Sequence, residues 1–273
     1  MKPAARFLLA AGITLLALAG AGYWRWRVAW RVPGPDSRVS IPVFVLHRVL
    51  PGEATEYIIS PDRLKKLVRE LNRRGFTPVS LGQLHAALHD RGPLPRKPAM
   101  ITFDDAYLDM YVHALPVLRK HGWPAVFFAP TGKMSDPPAE RVVWGDGPDP
   151  RAMQWPELIA LKEAGMEIGS HAWTHINLAK ALPETVNAEL ETSRREIAER
   201  IGVAPMALAY PGGRHSREVR RAAAEAGYRL GFLSGGGPIP LGVEDLYALP
   251  RVHVPGYADP AAIVSALPEN VWR

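Results

Sequence analysis

Asp104 and Asp105 stand side by side where the apolar run 98–103 (PAMITF) ends. Carboxylates that close repel, which raises the pKa of one of them; both stay ionised only beside a cation or another compensating partner. A metal held by one, with the other acting as a base, meets that requirement. The plain alternative is a helix cap, with Asp105 accepting from the backbone of a following helix. His171 and His175 lie four apart, so one helical turn would put both imidazoles on one face, as metal ligation needs. Two unrelated surface histidines would show the same spacing. Together, one Asp and two His supply three protein ligands and leave a position open for water, the pattern of a catalytic rather than a structural site. The chain of 273 residues has no cysteine, which removes thiolate sites, disulfides and cysteine nucleophiles. Any metal must sit on His, Asp or Glu.

These groups are far apart in the chain, so a scaffold must gather them. Short apolar runs at 41–46 (IPVFVL), 98–103, 125–129 (AVFFA), 166–169, 206–210 and 228–233 read as buried strands, with a last one at 247–254. Ser60-Pro61 starts a helix carrying Leu64, Leu67, Val68 and Leu71 on one face, closed by Gly75. Further helical patterns lie at 108–121, 155–164, 184–201, 216–226 and 260–267. The class is α/β: seven or eight strands, each followed by a helix or long loop, suit a (β/α) barrel better than an open Rossmann sheet. Gly235-Gly236-Gly237 lacks the strand-then-helix context of a dinucleotide loop, so no nucleotide cofactor is expected. In such a barrel the loops after the strands build the site. Those positions hold His47 after the first strand, Asp104-Asp105 after ITF, His171 and His175 after MEIGS, and Pro211-Gly212-Gly213 after MALAY.

The succession T-F-D-D, then S-H-x-x-x-H, then Y-P-G-G resembles the NodB-like polysaccharide deacetylases, carbohydrate esterase family 4, over about residues 41–267. The resemblance implies a distorted (β/α) barrel and a metal-dependent hydrolase. Its substrates would be N-acetylated sugars of an extracellular or cell-envelope polysaccharide: poly-N-acetylglucosamine, a chitin-like polymer or a peptidoglycan glycan. Carried over residue by residue, it makes Asp104 the general base. Asp105, His171 and His175 then hold a divalent metal, zinc first, with Co, Ni, Fe or Mn as alternatives. The early strand end FVLHRV is similar to the poly-N-acetylglucosamine deacetylase branch and implies that His47 is the general acid; His253 is its rival. Three positions depart from the family pattern. The usual glycine after the Asp pair is Ala106. The turn reads Ala209-Tyr210-Pro211-Gly212-Gly213, with Gly212 replacing an aromatic while keeping a backbone N–H for an oxyanion. The turn arginine that orients the base is absent at Ala209, and Arg251 is the candidate substitute, a surface or structural ion pair being its alternative role. Two other functions stay open: a metal hydrolase of another amide or ester bond, and a carbohydrate-binding protein that has lost turnover.

His85, His89, His113, His121 and His215 show no partner spacing and read as surface or packing residues. Trp123, Trp144, Trp155 and Trp173 are candidate sugar platforms, since sugars stack on indole faces, with core packing as the alternative.

The formal net charge is +6. Five of those charges lie in residues 1–38, where six basic groups face Asp36 alone, so the body is nearly neutral and lacks the footprint of a nucleic-acid binder. Lys2 and Arg6 precede the uncharged stretch 7–24 (FLLAAGITLLALAGAGYW), which as a helix would reach about 27 Å, enough for a thin hydrocarbon core. Tyr23, Trp24, Trp26 and Trp30 interleave with arginines like an interfacial belt. Residues 1–31 are therefore expected to be a membrane anchor, or a signal segment cleaved near Ala17-Leu18-Ala19. Residues 32–40 form a linker and 41–273 the deacetylase domain. That order expects an anchored protein with its body outside the cytoplasm, or a secreted one after cleavage. The expected partners are the acetylated polysaccharide and the membrane; nothing in the chain identifies a protein partner.

Overall fold

The computed structural model describes residues 30–31, 40–52, 54–145 and 147–267. The apolar stretch 7–24 and residues 32–39 lie outside the described residues, and with them the expected anchor helix and nearly all of the linker. Among the described residues no helix is long and apolar enough to cross a membrane.

Eight parallel strands make the main sheet. They are β1 (Val43–Leu46), β2 (Thr77–Pro78), β3 (Pro98–Asp104), β4 (Val126–Ala129), β5 (Glu167–Ser170), β6 (Ala207–Ala209), β7 (Leu230–Gly236) and β8 (Leu249–His253). Seven of them, in the order β1-β8-β7-β6-β5-β4-β3, close on themselves because β1 also pairs with β3, Val43 opposite Met100 and Leu46 opposite Phe103. The short β2 adds to the start of β3, Thr77 opposite Pro98. The expected barrel of seven or eight strands is thus a closed seven with a short eighth at its edge.

Every residue of β1, β3 and β4 is buried, because one face packs into the barrel and the other under helices; that is why these strands read as unbroken apolar runs. On the outer face, under the helices, Phe103 stacks on Phe127 with centroids 5.0 Å apart; inside, Phe128 meets Phe232 at 5.6 Å. The helices outside are α1 (Pro61–Arg73), α2 (Leu81–His89), α3 (Leu115–His121), α4 (Trp155–Glu163), α5 (Pro183–Ile201), α6 (Arg217–Glu225) and α7 (Pro260–Ser265). In α1 the Ser60 hydroxyl caps Arg63 N–H, and the apolar stripe of Leu64, Leu67, Val68 and Leu71 is buried, as expected.

Two helical expectations change. The pattern at 108–121 is not one α-helix: a π-helical turn over Met110–Ala114 precedes α3. And α2 was not anticipated, although Ser80 and Gln83 form a reciprocal capping box at its start. Two short antiparallel pairings tie in the early chain: Trp30–Arg31 against Leu94–Pro95, and Ser40–Ile41 against Ile239–Pro240.

Candidate active site

Asp104 is the last residue of β3, and Asp105 follows it in a left-handed conformation (φ 81°), with Ala106 left-handed too (φ 51°). This sharp turn, rather than a helix cap, brings both carboxylates to the mouth of the barrel. An L-residue costs roughly 1 kcal/mol or more in that region, the reason a glycine is expected where Ala106 stands.

Beneath the mouth, Asp104 (2% exposed) meets Arg251 (0% exposed) from β8. Nη1 donates to Oδ1 at 2.8 Å and Nη2 to Oδ2 at 2.6 Å, a two-point fork. The guanidinium also donates to Thr102 Oγ1 at 3.0 Å and to the Leu233 carbonyl at 2.5 Å. Arg251 is therefore no surface ion pair; it holds one carboxylate from across the barrel. Burial alone would raise the Asp104 pKa, but the Arg251 and His171 charges and the fork outweigh it and hold the group below its ordinary value.

Asp105 turns the other way. Its Oδ1 lies 3.3 Å from His171 Nε2 and 3.2 Å from His175 Nε2, and the three ligand atoms fall within 4.8 Å of one another. His171 Nδ1 lies 2.7 Å from the Ala209 carbonyl. Donation there aims Nε2 at Asp105; without a cation Nε2–H donates to the carboxylate, and loss of that proton gives the tautomer that ligation requires. Burial opposes the Asp105 charge too, but hydrogen bonds from both histidines overcome it and push the carboxyl far below its usual range. One carboxylate oxygen and two imidazole nitrogens converging in this way fit a borderline divalent cation.

The spacing of the histidines has a different cause from the one expected. Residues 171–175 are not a helical turn but a loop, with Ala172 (φ 62°) and His175 (φ 65°) left-handed. The loop is folded onto α5: Glu189 Oε2 accepts from Trp173 N–H at 2.9 Å and Thr174 N–H at 2.7 Å, and Oε1 accepts from the Thr174 hydroxyl. Ser170 Oγ accepts from Ala172 N–H and bonds to Ser193 Oγ at 2.7 Å. The sequence reading missed Glu189. Its signal was a carboxylate in the inward stripe of α5, beside Val186, Leu190, Ser193 and Ile197.

His47, just past β1, lines one cleft of about 500 Å³ with Asp104, Asp105, His171, His175 and Gly212, together with the unanticipated Tyr57 and Tyr107. Burial pushes the His47 imidazole below its ordinary value, against the pull of the Asp105 and Asp104 carboxylates. The rival His253 is not among the residues lining the cleft; its ring lies 6.1 Å from His47, and its Nδ1 is 3.2 Å from Glu56. Gly212 (φ 60°) sits in the turn Pro211–Gly213, where Gly213 N–H bonds the Tyr210 carbonyl and Arg214 N–H that of Pro211.

The tryptophans separate. Trp123 is buried and donates to Asn72 Oδ1, and Trp155 is buried at the start of α4. Trp173 is partly exposed, with its carbonyl accepting from Gly132 N–H at 2.7 Å. Trp144 stacks on Tyr107 at 5.0 Å and meets His175 edge-on at 5.0 Å. Arg48 braces this wall: it pairs with the buried Asp109 at 2.9 Å, lies 4.5 Å over the Tyr107 ring, and donates to the Pro148 and Asp149 carbonyls. His85 and His89 do meet, their rings 5.3 Å apart on α2, but neither they nor His113, His121 or His215 line the cleft.

Residues 91–231 match the family described as polysaccharide deacetylase. A poly-beta-1,6-N-acetyl-D-glucosamine N-deacetylase of Escherichia coli K12 is 36% identical over 107 residues, which are 38% of this chain and 16% of that protein. Among solved structures, the deacetylase PplD of Streptococcus pyogenes, in complex with acetate, superposes with a TM-score of 0.74 at 22% identity, over 85% of this chain and 99% of that one. IcaB of Ammonifex degensii does so at 0.72 and 23% identity, over 82% and 96%. At those identities the structural likeness speaks for the fold, whereas the family match spans more than half of the sequence. The chain therefore belongs to the polysaccharide deacetylase family, with the barrel that its strand pattern predicted.

Proposed function

We propose that the protein is a metal-dependent N-deacetylase. It removes acetyl groups from N-acetylated sugars of a cell-envelope or extracellular polysaccharide, poly-N-acetylglucosamine foremost. One observation carries this reading: a buried carboxylate, Asp104, held ready by Arg251, stands beside a separate Asp105-His171-His175 cluster in the same cleft. A binding protein has no need of the first group. The name of the Escherichia coli relative favours the N-acetylglucosamine polymer.

A divalent cation on Asp105, His171 and His175 (zinc, with Co, Ni, Fe or Mn also suited to these donors) supplies a Lewis acid that polarises the acetyl carbonyl and acidifies water. Asp104 takes the proton of the attacking water. The Arg251 fork keeps it ionised and fixed, and a carboxylate with about four lone-pair sites can accept again while so held. The carbonyl oxygen gains charge as the water adds; the Gly212 N–H, which the turn's bonds from Gly213 and Arg214 do not use, donates to it. Such a donor contributes about 3–4 kcal/mol. His47, as imidazolium, gives its proton to the sugar nitrogen; the C–N bond breaks, and acetate leaves.

In this reading residues 1–31 anchor the protein in a membrane, 32–40 link, and 41–273 act outside the cytoplasm, released if the leader is cleaved. The near-neutral body gives nucleic acid no place as a partner. The test is acetate release from poly-β-1,6-N-acetylglucosamine oligomers, chitin oligomers, an acetylated peptide and an aryl acetate. The sugar amides should exceed the peptide at least about tenfold in kcat/KM, one methylene-sized discrimination or more. Preference for the peptide, or no acetate from any sugar, would overturn the assignment.

A further inference from the structure

The loop that carries both histidines holds itself in place poorly. Two of its five residues, Ala172 and His175, are left-handed without being glycine, a backbone that persists only where surrounding structure imposes it. Thr131 and Gly132 N–H groups hold the Ala172 and Trp173 carbonyls, and a carboxylate takes the loop's own N–H groups. Glu189 is 4% exposed, on the inward stripe of α5, where an apolar residue would pack at no electrostatic cost. Its two oxygens accept three hydrogen bonds, from Trp173 N–H, Thr174 N–H and the Thr174 hydroxyl, the residues between the two histidines. Hydrogen bonds to an ionised acceptor are about twice as strong as neutral ones. One turn along the same face, Ser193 bonds Ser170, whose hydroxyl takes Ala172 N–H.

We propose that Glu189 is a positioning residue for metal binding: through Trp173 and Thr174 it sets the loop so that His175 Nε2 meets Asp105 and His171. The proposal rests on reading Asp105, His171 and His175 as metal ligands, and not on the identity of the substrate. A glutamine at 189 keeps size and shape but loses the charge: one neutral carbonyl oxygen is left for the two N–H donors, and its NH₂ can only reverse the bond to the Thr174 hydroxyl. Groups that orient ligands typically cost about 10–100-fold in metal affinity when lost.

The experiment measures zinc affinity by chelator competition, with thermal midpoints of the metal-free proteins, for the whole chain and its Glu189→Gln, Thr174→Val and Glu191→Gln variants. Glu191 is exposed on the same helix and serves as the matched control. Cobalt spectra of the loaded proteins report the ligand geometry. The expected result is a loss of about 10–100-fold for Glu189→Gln with a changed cobalt spectrum, a smaller loss for Thr174→Val, and none for Glu191→Gln. Thr174→Val removes one bond and keeps both backbone bonds, so it decides the matter if Glu189→Gln does not fold. Lowered midpoints with wild-type zinc affinity and an unchanged cobalt spectrum would overturn the proposal and leave Glu189 a stabilising group. A wild type that binds no metal would instead overturn the ligand assignment itself.

Discussion

Asp104 and Arg251 are both buried, so neither charge can be removed alone without consequence. Arg251→Met keeps the length and loses the fork, leaving a carboxylate uncompensated in the interior, a cost of about 3–5 kcal/mol. Wild-type Asp104 has a depressed pKa. Its pair therefore stabilises the fold above the unfolded value, near 3.9, and the contribution is lost as pH falls through the lower folded value. Without Arg251 the burial contribution dominates and the pKa rises. The expected outcome in Arg251→Met is a lower urea midpoint at pH 7 and an acid limb of kcat/KM moved to higher pH; an unmoved limb would separate Arg251 from the base. For His47 the shift is downward by burial, so the imidazolium fraction, and amide turnover with it, should fall as pH rises through a value below the ordinary one of about 6.5. His47→Ala should lose about 10²–10⁴-fold on an amide, the range for a positioned acid, and much less on an aryl acetate, whose leaving group needs no proton. Equal losses on both substrates, or an amide-selective loss in His253→Ala instead, would reassign the acid. At this scale the sequence was legible where chemistry imposes unusual neighbours, as at Asp104-Asp105. Glu189 and Arg48 escaped because their partners are backbone groups and a distant Asp109, and neither leaves a spacing to read.

The elements were legible to the extent that burial is simple. The strands buried on both faces announced themselves as apolar runs, and α1 by its stripe and Ser60 cap. The helical periodicity of His171 and His175 misled, because four-residue spacing is shared by a helical turn and by a loop that doubles back through left-handed residues. The break in the 108–121 helix and the missed α2 follow from limits of pattern: a π turn leaves the apolar period almost intact, and the nine residues of α2, with a glycine second, are too few to stand out despite Leu81, Leu84 and Leu88. The turn after β6 offers a direct test. At Gly213 (φ 68°) a Cβ would lie 2.8 Å from the Ser234 backbone nitrogen, which cannot yield. At Gly212 (φ 60°) it would meet nothing nearer than 3.6 Å, so only the left-handed backbone opposes it. Gly212→Ala should cost about 1–2 kcal/mol, and Gly213→Ala clearly more, as urea midpoints will show. Equal costs would mean that the turn shifts freely and does not fix the Gly212 N–H.

For the whole molecule, alternation of strand and helix predicted the closed barrel, and the barrel predicted a site at the strand ends; the count of seven against eight turned on β2, whose two residues are too short to announce themselves. The reading of the early chain as an address rests on its charge and apolar length alone, and the pairing of Trp30–Arg31 with Leu94–Pro95 left no pattern to find. Among the described residues, a chain starting at Val32 loses that pairing and no cleft residue. It should be soluble and retain kcat/KM within about threefold of the full chain, a difference of under 1 kcal/mol, while the full chain alone floats with lipid vesicles. A folded but inactive truncation would give the early chain a part in the site. The account stands most directly on the division of labour between the two aspartates. Acetate release from an N-acetylglucosamine oligomer, measured beside bound metal in wild type and Asp104→Asn, tests it in one experiment. The predicted result is one divalent metal per chain in both proteins, with turnover in the variant reduced by about 10²-fold or more. Metal lost together with activity in Asp104→Asn, or full activity in that variant, would contradict it.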